Sequence, residues 1–158
     1  MSRRAFLKGL AATPLALALP MGARGDEPVE AGDILARIDA LELEVEARLG
    51  SLGGQSSAAR TFATSVLHDH ARHRLVRARV RRELGLPAPL AKAPQTPADA
   101  ASLPALRRCQ KNLVYAHVEG LPSFPTHHQV NSLGHNMVDL ARHLTVIELW
   151  TDQGRTRA

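Results

Sequence analysis

Apolar side chains recur at spacings of three and four residues along four long stretches of this chain, and this pattern constrains the fold more than any other feature. Such spacing places apolar side chains on one face of an α-helix, whereas a half-buried strand requires strict alternation. The helical stretches cover about residues 28–49, 57–84 and 103–119, and a fourth begins at residue 126. Nothing in the sequence is typical of a strand, so the prediction is an all-α fold.

Two kinds of connection separate these helices. The glycine-rich residues 50–54 are a short link, which predicts that the first two helices are antiparallel neighbours. Residues 86–102 contain four prolines and no apolar period, which indicates a semi-extended linker. At roughly 3.1 Å per residue this linker can reach about 50 Å, enough to cross a bundle. Two hairpins joined by such a linker predict a four-helix bundle, with the crossing of the linker left open.

The N-terminal residues carry a targeting pattern. Residues 2–8 (SRRAFLK) resemble the twin-arginine consensus S-R-R-x-F-L-K, and a moderately apolar stretch at 9–19 is followed by small residues at 21–23. An ordinary Sec signal or a membrane anchor is the alternative, but about 20 apolar residues are needed to span a bilayer. We therefore expect a Tat signal peptide at 1–23, recognised by the Tat translocase through Arg3 and Arg4. The bundle domain at 24–158 is then exported to the periplasm or the exterior of a bacterium.

The composition narrows the choice of partners. The chain has 20 basic and 15 acidic side chains, and removal of Arg3, Arg4 and Lys8 with the leader lowers the formal charge from +5 to +2. That balance gives no reason to expect nucleic acid as a partner, and no stable membrane span remains after cleavage. The single Cys109 cannot form an internal disulfide, so the fold has to rest on packing.

Charge is unevenly distributed along the first two helices. Residues 26–46 contain eight acids and one arginine, whereas residues 72–82 contain six arginines. The arginines form either a patch for an anionic ligand or one flank of two oppositely charged, adjacent helices. We favour the second interpretation, in which the charges pair along the helix flanks and face the solvent.

The histidine cluster of the second helix is the strongest candidate for chemistry. On a helical wheel, His73 lies in the middle of the apolar face, Asp69 and His70 flank it, and His68 points away. Buried groups of this kind cost a few kcal/mol each unless they are compensated. At spacings of three and four residues two of them can hold one metal ion, whereas the metal-free alternative is a buried Asp–His hydrogen bond.

The other helices offer additional ligands. His117 lies on the apolar face of the third helix and Glu119 lies near its end, while His143 borders the seam of the fourth helix. Asp139 is expected to face the solvent. Glu42 borders the apolar stripe of the first helix and could complete a site, but acids are frequent in that helix and Glu42 is not included in the predicted ligand set. The predicted metal site therefore consists of Asp69, His70 and His73, closed by His117, Glu119 or His143.

An all-α bundle of two hairpins with a long linker, inward histidine and acid side chains and a Tat signal resembles the ferritin-like superfamily. The resemblance covers residues 28–150 and implies a di-iron or di-manganese site with two Glu-x-x-His motifs. Here residues 70–73 (HARH) have histidine in place of glutamate, and residues 140–143 (LARH) have leucine. A site rich in imidazole and poor in carboxylate suits one transition metal ion, such as iron, zinc, copper or nickel, better than a di-iron centre.

Two function classes remain open at this stage. One is a metal-binding bundle, and the other is a metal-free bundle that binds a periplasmic partner or travels with an exported protein. Homo-oligomerisation is left open in both classes. The sequence contains no nucleophile triad, phosphate-binding loop or haem attachment motif, so no reaction is predicted.

Overall fold

The computed structural model describes residues 28–89, residue 99 and residues 102–155. The predicted signal peptide and most of the predicted linker lie outside these described residues. Within them the chain is all α, with no strand, as the apolar spacing predicts. The helices are α1 (Pro28–Leu52), α2 (Ser57–Glu83), α3 (Leu103–Gly120) and α4 (His127–Arg155), and the short 3-10 helix Leu121–Ser123 follows α3.

Local signals explain where these helices begin and end. The hydroxyl groups of Ser56, Ser102 and Thr126 each accept a hydrogen bond from the backbone N–H three residues later, at 3.0, 3.4 and 3.2 Å. Each bond satisfies one of the amides that the first turn of a helix leaves free. After α2, Gly85 has a φ of 68°, a left-handed conformation that costs glycine nothing and stops the helix.

Contacts between α1 and α3 fix the direction of the second hairpin. Arg48, near the end of α1, contacts Asp99 just before α3 at 2.9 Å, whereas Arg37 contacts Glu119 at the other end at 3.2 Å. Helix α3 therefore runs opposite to α1 and parallel to α2. As a result, α2 ends and α3 begins at opposite ends of the bundle, and residues 86–102 connect these two ends.

The four helices pack in a ring. Helix α1 packs against α2 and α3, and α4 packs against the same two helices, so α1 and α4 lie on one diagonal. Within residues 28–89 and 102–155, no helix has an apolar stretch long enough to cross a membrane.

Two apolar clusters form the core. One contains Ala31, Leu35 and Val80 near the N-terminus of α1, and the other contains Val45, Leu49 and their neighbours toward its C-terminus. In α2 a layer of buried polar side chains lies between the two clusters, because His70, His73 and Arg77 stand between Val66 of one cluster and Val80 of the other. The apolar clusters on both sides of this polar layer hold the helices in register, so the layer is a suitable place for a functional site.

Candidate metal centre

A layer of buried polar side chains crosses the middle of the bundle, and all four helices contribute to it. Apolar contacts cannot account for these groups, because burial of a polar side chain costs free energy unless a partner satisfies it. Their partners therefore indicate what the layer can do. Its members are Glu42, His70, His73, Arg77, Gln110, His117, Asn136 and His143.

Helix α1 supplies the carboxylates of the layer. Asp39, Glu42 and Glu46 follow one another at spacings of three and four residues, so they share the face that packs against α2. Glu42 is only 1% exposed, and Glu46 and Asp39 lie at the edge of the buried region. This face meets the inner face of α2, where His70 and Arg77 contact these carboxylates.

Helix α2 supplies imidazoles at the level of these carboxylates. His70 and His73 are fully buried, whereas the side chain of His68 is 76% exposed, as the helical wheel predicts. The Oε1 atom of Glu42 lies 3.9 Å from Nδ1 of His70 and 3.7 Å from Nδ1 of His73. One carboxylate therefore lies beside two imidazoles in the interior.

Four buried imidazoles share one bonding pattern. In each ring, one nitrogen contacts a carboxylate or a backbone carbonyl, and the other has no hydrogen-bond partner among the described residues. The contacts are His70 Nδ1 to Glu46 Oε1 at 3.3 Å, His73 Nε2 to Asp139 Oδ2 at 3.4 Å, His143 Nε2 to Asp69 Oδ2 at 3.0 Å, and His117 Nδ1 to the Leu113 carbonyl at 3.0 Å.

This pattern determines which nitrogen carries the proton. Carboxylates and carbonyls only accept hydrogen bonds, so the bonded nitrogen of each ring is the N–H donor. The second nitrogen of His70, His117 and His143 then holds a lone pair inside the protein. Each nitrogen of His73 instead faces a carboxylate. Metal-binding histidines have the same arrangement, in which an outer acceptor fixes the tautomer and the free lone pair binds the ion.

Burial keeps the imidazoles of His117 and His143 neutral. It lowers the pKa of His117 to about 4 and also lowers the pKa of His143, although Asp69 acts in the opposite direction on His143. Burial alone would raise the pKa of Glu42, but His73 and Arg77 outweigh it and lower the pKa to about 2. At neutral pH the layer therefore contains an ionised Glu42 and the neutral rings of His117 and His143, the protonation states that metal binding requires.

Glu42, Glu46 and His70 form the tightest group of candidate ligands. Each offers one ligand atom, and these atoms all lie within 4.8 Å of one another. Two ligands bound at about 2.1 Å to one tetrahedral ion lie about 3.4 Å apart, similar to the 3.3 and 3.9 Å between Nδ1 of His70 and the two carboxylates. Metal binding at Nδ1 would replace its hydrogen bond to Glu46 and place the ring proton on Nε2. His73 lies at a comparable distance from Glu42, so the group could hold a metal ion with mixed nitrogen and oxygen ligands.

The structure brings together some of the residues that the sequence singled out. His70 and His73 lie in the polar layer, Asp69 bonds to His143 across the α2–α4 contact, and His117 enters the layer from α3. Glu119 lies apart from them. Its side chain is 63% exposed and forms an ion pair with Arg37 at 3.2 Å, because it lies on the outer edge of α3.

Three acids near the buried imidazoles were not assigned to the site from the sequence. Glu42 and Glu46 are frequent residue types in an acidic helix, and only packing against α2 distinguishes them from Glu44. Asp139 is half-buried and accepts bonds from Arg72 and His73, although its own helix places it toward the solvent. The sequence feature that could have identified Glu42 as a buried acid was its position beside the apolar stripe of α1.

The expected pairing of acidic α1 with basic α2 occurs, but part of it is buried. Arg74 forms a half-exposed pair with Glu46. Arg77 and Arg81, however, are only 1% and 6% exposed, and both contact Asp39. The expectation that this flank faces the solvent is therefore wrong for these two arginines, because the acids that they contact lie on the inner edge of α1.

Comparisons of this chain with protein-family models, with curated proteins and with solved structures found no match.

Proposed function

We propose that this chain is an exported, ferritin-like bundle protein that binds one transition metal ion in its interior. The observation that carries the proposal is the group of Glu42, Glu46 and His70 in the bundle interior, whose ligand atoms all lie within 4.8 Å of one another. Glu42, Glu46 and His70 supply the closest ligand atoms, and His73 is the nearest additional imidazole.

The ligand set favours particular metals. Imidazole and carboxylate together suit iron, zinc and copper, whereas calcium and magnesium prefer sites made of oxygen atoms. The ring of His143 lies 6.1 Å from that of His70 and is bonded to Asp69, so these two residues adjoin the closest ligands, and Glu119 has no role in the site. No substrate or reaction is assigned, because a metal-binding layer in a bundle serves storage, electron transfer and structure equally well.

The ferritin-like part of the proposal is supported by topology. Helices α3 and α4 are antiparallel, with Arg107 contacting Glu148 at 3.1 Å and the Gln110 amide donating to the Leu140 carbonyl at 2.9 Å. Two hairpins whose connection joins opposite ends of the bundle are the arrangement of bundles with one long crossover. Export is supported by the twin-arginine pattern at residues 2–8.

Metal analysis of protein purified from its native compartment, without affinity columns or chelators, tests the metal site. We expect about one iron, zinc or copper ion per chain, and loss of this ion in His70→Ala. His68→Ala is the matched control, since this exposed histidine lies two residues away on the same helix. Circular dichroism verifies that both variants are folded.

One result would end the metal proposal. If wild-type protein contains no metal, takes up none on reconstitution and keeps its melting temperature in chelators, the buried imidazoles are structural. A metal-free bundle that binds or accompanies an exported partner is then the better function. The observation favouring this second candidate is that Arg77 already neutralises Glu42 inside the bundle.

Export has its own test. Replacement of Arg3 and Arg4 by lysine is expected to leave the precursor in the cytoplasm, because the twin-arginine pair is what the Tat translocase reads. Fractionation of cells and immunoblotting measure the distribution. Unchanged export of the double variant through Sec would overturn the Tat assignment.

A further inference from the structure

Arg77 is the largest fully buried side chain of the described residues and the cation of the polar layer. Its Nε donates to Oδ1 of Asp39 at 2.6 Å, its Nη1 donates to Oε1 of Glu42 at 3.1 Å, and its Nη2 donates to Oε2 of Glu42. The guanidinium therefore connects two carboxylates of α1. In four-helix bundles that bind two metal ions, the ions likewise lie between carboxylates of the bundle interior.

Further polar groups without partners lie at the same level of the bundle. The Arg79–Ser132 contact at 2.9 Å and the His73–Asp139 contact at 3.4 Å place the level of Arg77 near residue 136 of α4. There Asn136 is buried, and its Nδ2 has no partner among the described residues.

Helix α3 contributes a second group at this level. The Arg37–Glu119 contact shows that the residues of α1 just after Arg37 face the end of α3, where His117 lies. The Nε2 of His117 is buried and holds a lone pair, because its Nδ1 donates to the Leu113 carbonyl. Burial is the main cause of the lowered pKa of His117, and the charge of Arg77 lowers this pKa further, as expected for a neighbouring cation.

Glu42 thus has a cation on one side and imidazoles on the other. Its Oε1 lies 3.7 Å from Nδ1 of His73, while its two oxygens both accept from Arg77. A carboxylate in this position can bind one metal ion next to His70 and His73. A second ion on the side of Asp39 would coincide with the guanidinium, and two cations at one place repel each other strongly in a low-dielectric interior.

We propose that Arg77 takes the place of a second metal ion and thereby limits the centre to one. Removal of the guanidinium then creates a second metal site formed by Asp39, Glu42 and His117. This inference rests on the proposed function, since it presupposes that the first site binds a metal. Arg81 also contacts Asp39, at 2.7 Å, so the second ion is expected to bind more weakly than the first.

The test measures how many Zn²⁺ ions the full-length protein binds, by equilibrium dialysis and native mass spectrometry. We expect about one ion in wild-type protein and about two in Arg77→Met, whose side chain is apolar and of similar length. Arg77→Lys retains the positive charge and is expected to bind about one ion. The double variant Asp39→Asn, Arg77→Met lacks a ligand of the new site and is expected to return to about one ion.

The outcomes separate this inference from the proposed function. One ion in wild-type protein and one in Arg77→Met overturns the inference and leaves the metal-binding function standing. No ion in wild-type protein overturns both. If Arg77→Met does not fold without metal, it is refolded with Zn²⁺, and recovery of helical circular dichroism with two bound ions supports the inference. Failure to recover overturns it.

Discussion

Replacement of Glu42 by glutamine tests the electrostatics of the polar layer. The substitution retains the shape of the side chain and removes its charge, so Arg77 keeps only Asp39 as an acidic partner. Burial opposes ionisation of Glu42, but His73 and Arg77 outweigh it and lower its pKa from 4.5 to about 2. The carboxylate therefore stabilises the folded chain in its ionised form.

The magnitude follows from this pKa. A fall from 4.5 to about 2 corresponds to about 3 kcal/mol of folding free energy at neutral pH. Because the pKa of the folded state is the lower one, this contribution is complete above pH 4.5 and is lost as the pH falls toward 2. Glu42→Gln is therefore expected to lower the free energy of unfolding at pH 7 by about 3 kcal/mol, similar to other broken buried ion pairs.

Urea denaturation followed by circular dichroism, in the presence of a chelator, measures this effect between pH 7 and pH 2. The stability of wild-type protein should fall more steeply below pH 4.5 than that of the variant. Glu119→Gln is the control, because its carboxylate is 63% exposed and its loss should cost less than about 1 kcal/mol. A similarly small cost in Glu42→Gln, or equal pH dependence in the variant and wild type, would falsify the argument.

Three further predictions concern packing, reactivity and acid stability. A Cβ at Gly120 would overlap Cγ2 of Ile34, so Gly120→Ala should lower the free energy of unfolding by about 1–3 kcal/mol, measured by thermal melts. A Cβ at Gly134 meets nothing within 4 Å, so Gly134→Ala should raise it by about 0.5–1 kcal/mol. Burial raises the pKa of Cys109 to about 11, so a thiol reagent at pH 8 should react only after unfolding. Metal-free wild-type protein should lose up to about 3 kcal/mol of stability through His117 as the pH falls from 6.5 to 4, because this ring binds a proton in the unfolded chain but not in the folded one. His117→Leu should not show this part of the loss.

The sequence by itself determined where the four helices lie and which histidines of α2 face the interior. Spacings of three and four predict all four helices, and the buried Leu106, Leu113 and Ala116 of α3 lie where the period places them. The same wheel places His73 inward and His68 outward, as observed. These features are local, because the helical repeat fixes which side chains share a face of one helix.

Only the tertiary structure decided which faces meet. Glu42 is buried because α1 turns that edge toward α2, and Asp139 is half-buried because Arg72 and His73 lie opposite it on α2. Arg77 is buried for the same reason, since two acids of the neighbouring helix compensate its charge. Burial of a charge depends on the groups that another helix presents, and a single helical period contains no information about them.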